Sequence, residues 1–222
     1  MVFLCMMMFI GVYKIMTRSY SQRKPSEYNR FRTFFIYITC NWVYGLYYKI
    51  ACNLKIKGRE NVPKKGFFIV ASNHVSAVDP FLIVSAVGRP IAYMAKKELF
   101  ENKIMSLFLD FLGAFAVNRD KLDVSTIKTA IGIKNTDWVL GLFPQGTRQV
   151  DGSMENISRG FTALAKATKA PILPVFISGA AKDERHAFKG HMKINIGKMI
   201  PFSDPKTMED EWIKAVSELN EG

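Results

Sequence analysis

His74 and Asp79, five positions apart, form the pair in this chain best suited to chemistry. An imidazole accepts a proton near neutral pH, and does so better when a carboxylate fixes its tautomer through the other ring nitrogen. The pair lies in Ala71-Ser72-Asn73-His74-Val75-Ser76-Ala77-Val78-Asp79-Pro80, after a predicted strand and before a predicted helix. Open α/β sheets place their sites there, at the carboxyl ends of strands. On one continuous helix five residues would separate the two side chains by about 140°, so they meet only across a turn. Two readings stay open on these residues alone. In one, His74 is a general base oriented by Asp79. In the other, Asp79 is the N-cap and Pro80 the first residue of a helix, with His74 an ordinary loop histidine. No Gly-x-Ser-x-Gly occurs, so there is no sign of a serine nucleophile. The first reading therefore describes a base that activates an incoming hydroxyl, with no covalent intermediate on the protein.

Two further stretches carry candidate ligand-binding groups. Phe143-Pro144-Gln145-Gly146-Thr147-Arg148 follows another predicted strand. Gly146 allows close backbone approach to a ligand. Thr147 and nearby amides can donate hydrogen bonds, and Arg148 can hold a phosphate in a bidentate fork. Gly113-Ala114-Phe115-Ala116-Val117-Asn118-Arg119 ends a strand with a second arginine. Two arginines at strand ends suggest one anionic pocket, although either alone also reads as a surface arginine.

The elements that must position these residues alternate from Asn53 onward. Strands are predicted at 67–72, 91–95, 114–117, 138–143, 172–177 and 192–196. Helices are predicted at 80–87, 103–112, 124–134 with Asp123 as cap, 161–169 and 208–219. Such alternation implies an α/β domain with a largely parallel sheet flanked by helices. The 222 residues are enough for one domain with a real core and too few for two ordinary ones.

The N-terminal quarter differs. Met1 to Tyr13 carries no charge, and a second apolar run extends from Thr33 to Tyr48. Between them lie Arg18, Arg23, Lys24, Arg30 and Arg32 against Glu27. Each run is shorter than the roughly 20 residues that span a bilayer. A secretory signal would want its basic residues ahead of the apolar stretch and a cleavage site after it; Lys14 and Arg18 follow it instead. A spanning helix and a buried core pair remain open. The favoured reading is a helical hairpin in the membrane interface over residues 1–52, with aromatics at headgroup depth and basic residues on anionic phosphates, followed by the α/β domain over 53–222. The net charge of +12 favours an anionic partner. The aromatics fall in an apolar run and not in a basic groove with stacking spacing, which argues against nucleic acid. Three cysteines, Cys5, Cys40 and Cys52, make no disulfide framework and suit a reduced, cytosol-facing protein. No zinc-ligand spacing occurs, so a zinc site has no support.

Taken in order, these blocks resemble the lysophosphatidic acid acyltransferases, the 1-acylglycerol-3-phosphate O-acyltransferase family. Asn73-His74-x4-Asp79 is similar to the family's first motif, Gly113 to Arg119 to the second, Phe143 to Arg148 to the third, and Ala170-Pro171-Ile172-Leu173-Pro174-Val175 to the fourth. Ala95-Lys96-Lys97-Glu98-Leu99-Phe100 and Arg159-Gly160 also sit where the family has similar segments. The resemblance covers residues 55–180.

It implies a glycerolipid-acyltransferase-like fold that moves a fatty acyl group from acyl-CoA or acyl-carrier protein to the sn-2 hydroxyl of lysophosphatidic acid, giving phosphatidic acid at the cytoplasmic face of a membrane. His74 would be the general base and Asp79 its partner, with no metal or cofactor in the chemistry beyond the acyl donor as co-substrate. Arg119, Arg148 and Lys96 would bind the acceptor's phosphate. Gly146 and Thr147 would shape that pocket, with Asn73 and Gly113 also on the substrate side, and Pro174 would position its strand near the acyl chain. One residue departs from the pattern: the third motif usually carries Glu where this chain has Gln145. Glutamine keeps the size and an acceptor oxygen and loses the charge. Alternative acceptors are another lysophospholipid, an ornithine-type lyso-lipid or glycerol 3-phosphate. A non-catalytic basic membrane-binding module is the reading from outside enzymology.

Overall fold

The computed structural model describes residues 23–117, 123–149, 157–181 and 191–221. Among them one sheet contains β1 (Lys55–Lys57), β2 (Ile69–Ser72), β3 (Ile91–Lys96), β4 (Phe115–Val117), β5 (Val139–Leu142), β6 (Ile172–Ser178) and β7 (Lys193–Ile196). The spatial order is β1-β7-β6-β2-β5-β3-β4. β6, β2, β5, β3 and β4 are mutually parallel, and only the β6/β7 pairing is antiparallel. The sheet is therefore mixed and largely parallel, as the alternation of elements predicted. Its central strands β2 and β5 are buried at every residue. That is why they read as continuous apolar runs and not as alternating ones. β1 is absent from the sequence-based prediction. It is a three-residue edge strand reading Lys-Ile-Lys, too short and too charged to announce itself, and charge of that kind blunts an edge against stray pairing.

The helices are α1 (Arg30–Tyr37), a π-helical stretch (Ile38–Gly45), α2 (Leu46–Ala51), α3 (Asp79–Val87), α4 (Lys103–Phe111), α5 (Val124–Ile133), α6 (Arg159–Thr168) and α7 (Pro205–Glu221). Asn102 caps α4 and Asp123 caps α5 through their side chains. The α1–π–α2 run is helical without a break over residues 30–51. It covers the second apolar run, Thr33 to Tyr48; the first, Met1 to Tyr13, and with it the expected hairpin, lies outside the described residues. Among the described residues no helix is long and apolar enough to cross a membrane.

The 30–51 helix is fastened to the α/β body. Ile36, Cys40, Tyr48 and Ala51 join the same apolar core as the sheet. Gly45 lets it approach α3 closely, since a Cβ there would lie 2.4 Å from Ser85 Oγ. The Trp138 indole, just ahead of β5, donates to Thr33 Oγ1 at 3.0 Å. Asp110 on α4 binds both Arg23 and Arg32 at 2.8 Å, and the Asp110 and Arg23 side chains are wholly buried. A buried carboxylate without such partners would be strongly destabilising. Cys40 and Cys52 are buried free thiols.

Candidate active site

The site forms where β2 and β5, neighbours in the sheet, end side by side. Asn73 extends β2 by imitation. Its side-chain Nδ2 donates to Ile177 O and its Oδ1 accepts from Ile177 N, both at 2.8 Å. The carboxamide thus makes the two bonds to β6 that a further strand residue would make with its backbone. Asn73 is 2 % exposed, and this residue, expected on the substrate side, has both polar ends engaged by β6.

His74 comes next and is held through its backbone by the loop after β5. Its N–H donates to Gln145 Oε1 at 3.2 Å, and its carbonyl accepts from Gln149 N at 2.8 Å. The imidazole ring stacks on Phe143, centroids 4.0 Å apart and planes 17° from parallel. Tyr93 stacks on the same Phe143 at 5.4 Å. Burial, then Cys40 and Asp79, push the Tyr93 phenol well above its usual pKa, so it stays a neutral phenol.

His74 Nδ1 lies 2.8 Å from Asp79 Oδ2. The same oxygen accepts from Val75 N and Ser76 N, each at 2.7 Å. Asp79 Oδ1 has no hydrogen bond among the described residues. The segment from 75 to 79 therefore wraps around one carboxylate oxygen, and this turn brings together two residues that a continuous helix would hold apart. The expectation that Asp79 is an N-cap is corrected: α3 starts at Asp79, with Val78 in the cap position. Asp79 bonds back to Val75 and Ser76 and not forward into its own helix. A carboxylate oxygen that accepts from two amides also accepts from the ring. Nδ1 then carries the hydrogen, and Nε2 presents its lone pair on a side chain 11 % exposed.

The remaining expected residues divide by location. In the loop after β5, Gly146 has φ +69° and a Cβ there would meet nothing within 4 Å. Its backbone conformation, not crowding, is what favours glycine; it closes a turn through Gly146 N to Phe143 O at 2.9 Å. Thr147 and Arg148 are exposed on the same loop, two and one residues before the Gln149 bond to His74. Lys96 ends β3, exposed, with Glu98 3.5 Å away. Arg119 lies outside the described residues. Two other positions are not gathered at His74. Gly113 precedes β4, and a Cβ on it would fall 2.5 Å from the Trp138 ring. Its φ of +71° and this contact give it a packing role. Pro174 is in the middle of β6, level with Ala71 and close against Gly197.

Sequence reasoning missed Phe143 as part of the site, although it quoted the residue. The available signal was an aromatic at the very end of a strand, next to the loop that carries Gln145 and Arg148. It also missed Tyr93, which nothing in the linear sequence connects to His74. Among the described residues no cluster of metal-ligand side chains occurs.

With this geometry established, similarities to known proteins can be read. A family model described as acyltransferase matches residues 53–178. The 1-acyl-sn-glycerol-3-phosphate acyltransferase of Bacillus subtilis (strain 168) is 35% identical over 152 residues, which is 68% of this chain and 75% of that protein. The protein of the same name from Streptococcus pneumoniae (strain ATCC BAA-255 / R6) is 29% identical over 189 residues, 84% of this chain and 70% of its own. Among solved structures, the 1-acyl-sn-glycerophosphate (LPA) acyltransferase PlsC from Thermotoga maritima is similar with a TM-score of 0.61 and 26% identity. It covers 88% of this chain and 79% of that one.

Proposed function

Because the chain belongs to the acyltransferase family, we propose that it transfers a fatty acyl group from a thioester donor, acyl-CoA or acyl-carrier protein, to the sn-2 hydroxyl of lysophosphatidic acid. The observation that carries the proposal is the half-buried His74 paired at 2.8 Å with the buried Asp79, which leaves Nε2 to face a substrate. Nε2 takes the hydroxyl proton as the oxygen attacks the thioester carbonyl. The tetrahedral adduct collapses, the carbon–sulfur bond breaks, and the thiolate takes the proton back from Nε2. One ester and one free thiol result, and the histidine is regenerated. Asp79 fixes the ring and stabilises the imidazolium that forms in between.

Arg148, in the loop after β5, and Lys96, at the end of the neighbouring β3, hold the acceptor's phosphate together with Arg119. Gln145 keeps the acceptor oxygen that the His74 backbone uses, so the positioning role of this site does not need a charge there. The substrate is a lipid, and the protein meets it at the cytoplasmic face of a membrane. The 30–51 helix supports that seat, because Phe31, Phe34, Trp42, Val43, Tyr47 and Ile50 each expose more than half of their surface. Large exposed apolar patches mark interaction sites.

The test is to incubate the purified full chain in liposomes with acyl thioester and lysophosphatidic acid. Wild type should form phosphatidic acid and free thiol in equal amounts, and His74→Ala should form them about 10³–10⁴-fold more slowly. Equal product from both proteins would sink the general-base reading. A panel of lyso-lipids and glycerol 3-phosphate then fixes the acceptor.

A further inference from the structure

Beside the 30–51 helix lies a groove of about 490 Å³, within the usual size range of ligand sites. Leu54, buried, and Ile56, half-buried, line its inner part, and the exposed Trp42, Leu46, Lys49 and Arg59 line its open side. Among the described residues no carboxylate lines it. Leu54 is buried, whereas Trp42 is 71% exposed, so the groove runs from the core out to the apolar helix surface. Arg59 is anchored by a 3.1 Å bond from Nη2 to Ser85 O, near the end of α3. Lys55, Lys57 and Lys193 are exposed on the adjoining β1/β7 edge.

The groove is separate from the reaction centre. β1 stands three places from β2 in the sheet, or about 14 Å at the usual strand spacing. Ser85 lies six residues along α3 from Asp79, about 9 Å of helix rise.

The mixed lining restricts the occupant. An apolar inner part gives inorganic phosphate no reason to enter. Two cations on the open side give a neutral or zwitterionic lipid no advantage over solvent ions. An anionic amphiphile satisfies both surfaces at once, with its chain against Trp42, Leu46, Leu54 and Ile56 and its phosphate between Lys49 and Arg59. We infer that this groove binds one anionic phospholipid of the bilayer, a lipid distinct from the acceptor that reacts at His74. The inference relies on the membrane seat proposed above only for delivery of that lipid. Its consequence is preferential residence on anionic membranes through a defined site, beyond the diffuse attraction that any basic surface has.

Trp42 reports directly on the occupant, because Trp138 and Trp212 are buried at 1% and 0% exposure. The full chain is bound to phosphatidylcholine vesicles that contain a trace of brominated phosphatidylglycerol or an equal trace of brominated phosphatidylcholine. A Trp42→Phe protein supplies the background. Phosphatidylglycerol is neither acceptor nor product of the proposed reaction, so the active site does not recruit it. The expected result is Trp42 quenching by trace phosphatidylglycerol well above random mixing, and random-level quenching by trace phosphatidylcholine. Each cation near an anionic headgroup is worth roughly fivefold in affinity. Lys49→Gln with Arg59→Gln should therefore weaken the preference roughly 25-fold, and Leu46→Glu, which puts a carboxylate into the groove at an already exposed position, should remove it. His74→Ala should leave it unchanged. Equal quenching by the two trace lipids, or a preference that survives both groove variants, would overturn the inference. Failure of the membrane seat itself looks different: vesicles made entirely of brominated phosphatidylcholine would then quench nothing.

Discussion

The turn at His74 and the helix over residues 30–51 are built on opposite principles. At His74 the backbone N–H, the carbonyl, the ring face and Nδ1 are each held by a named neighbour: Gln145, Gln149, Phe143 and Asp79. Along the helix, Phe31, Phe34, Trp42 and Ile50 expose most of their surface. The first region fixes a single atom, Nε2, in space. The second offers area and no fixed partner. A catalytic group needs placement within a fraction of an ångström, and a membrane seat needs only apolar surface and charge. Substitutions should therefore cost rate in the first region and residence on membranes in the second.

His74→Ala should give the largest effect, a loss of about 10³–10⁴-fold in kcat. Unfolding temperature should change little, because most of the turn's hydrogen bonds run through the backbone and Asp79. A large drop in stability would show that His74 is a packing residue, and the contrast between the regions would fail.

Asn73→Ala comes next and should move rate and stability together. It strips Ile177 of both side-chain bonds, leaving a buried N–H and C=O at about 1–3 kcal/mol each. Chemical denaturation should register about 2–6 kcal/mol, and the displaced His74 should cost a further fall in kcat. A rate loss with unchanged stability would move Asn73 from strut to substrate ligand.

On the helix, Phe34→Ser with Ile50→Ser should weaken sedimentation with vesicles by about tenfold or more, while turnover of a detergent-dispersed acceptor stays near wild type. Lost turnover in detergent would mean that the helix contributes to the site itself.

The smallest effect at neutral pH comes from Cys40, whose thiol burial pushes up to about 12. The folded thiol keeps its proton where the unfolded one, near 8.5, has lost it. The unfolded state thus binds fewer protons as pH rises, and stability falls between about 8.5 and about 12. Thermal melts of wild type and Cys40→Ala over the alkaline range should diverge in that direction only.

The two regions were also legible in the sequence to different degrees. The sheet followed from apolar runs, and the site's two loops from their places after predicted strands. The meeting of His74 and Asp79 required a turn that spacing could demand but not describe. Val75 and Ser76 build it with backbone amides, which carry no signature in residue type. Asn73 was expected on the substrate side only because it stands in the first motif, and its partner Ile177 is 104 positions away. Gly113 read as part of a motif, but its neighbour in space is Trp138. The helix was visible from composition alone. Its π-helical stretch and its burial of Cys40 were not, because they depend on contact with the rest of the fold.

The most direct test of the central claim is Asp79→Asn. Asparagine offers one acceptor oxygen, enough to keep the three bonds now made to Oδ2, and its amide nitrogen takes the place of Oδ1, which bonds nothing among the described residues. The turn survives and the charge does not. If the carboxylate makes His74 a base, kcat for acyl transfer should fall by at least about a hundredfold while the unfolding transition stays near wild type. A variant that folds alike and turns over at the wild-type rate would contradict the account.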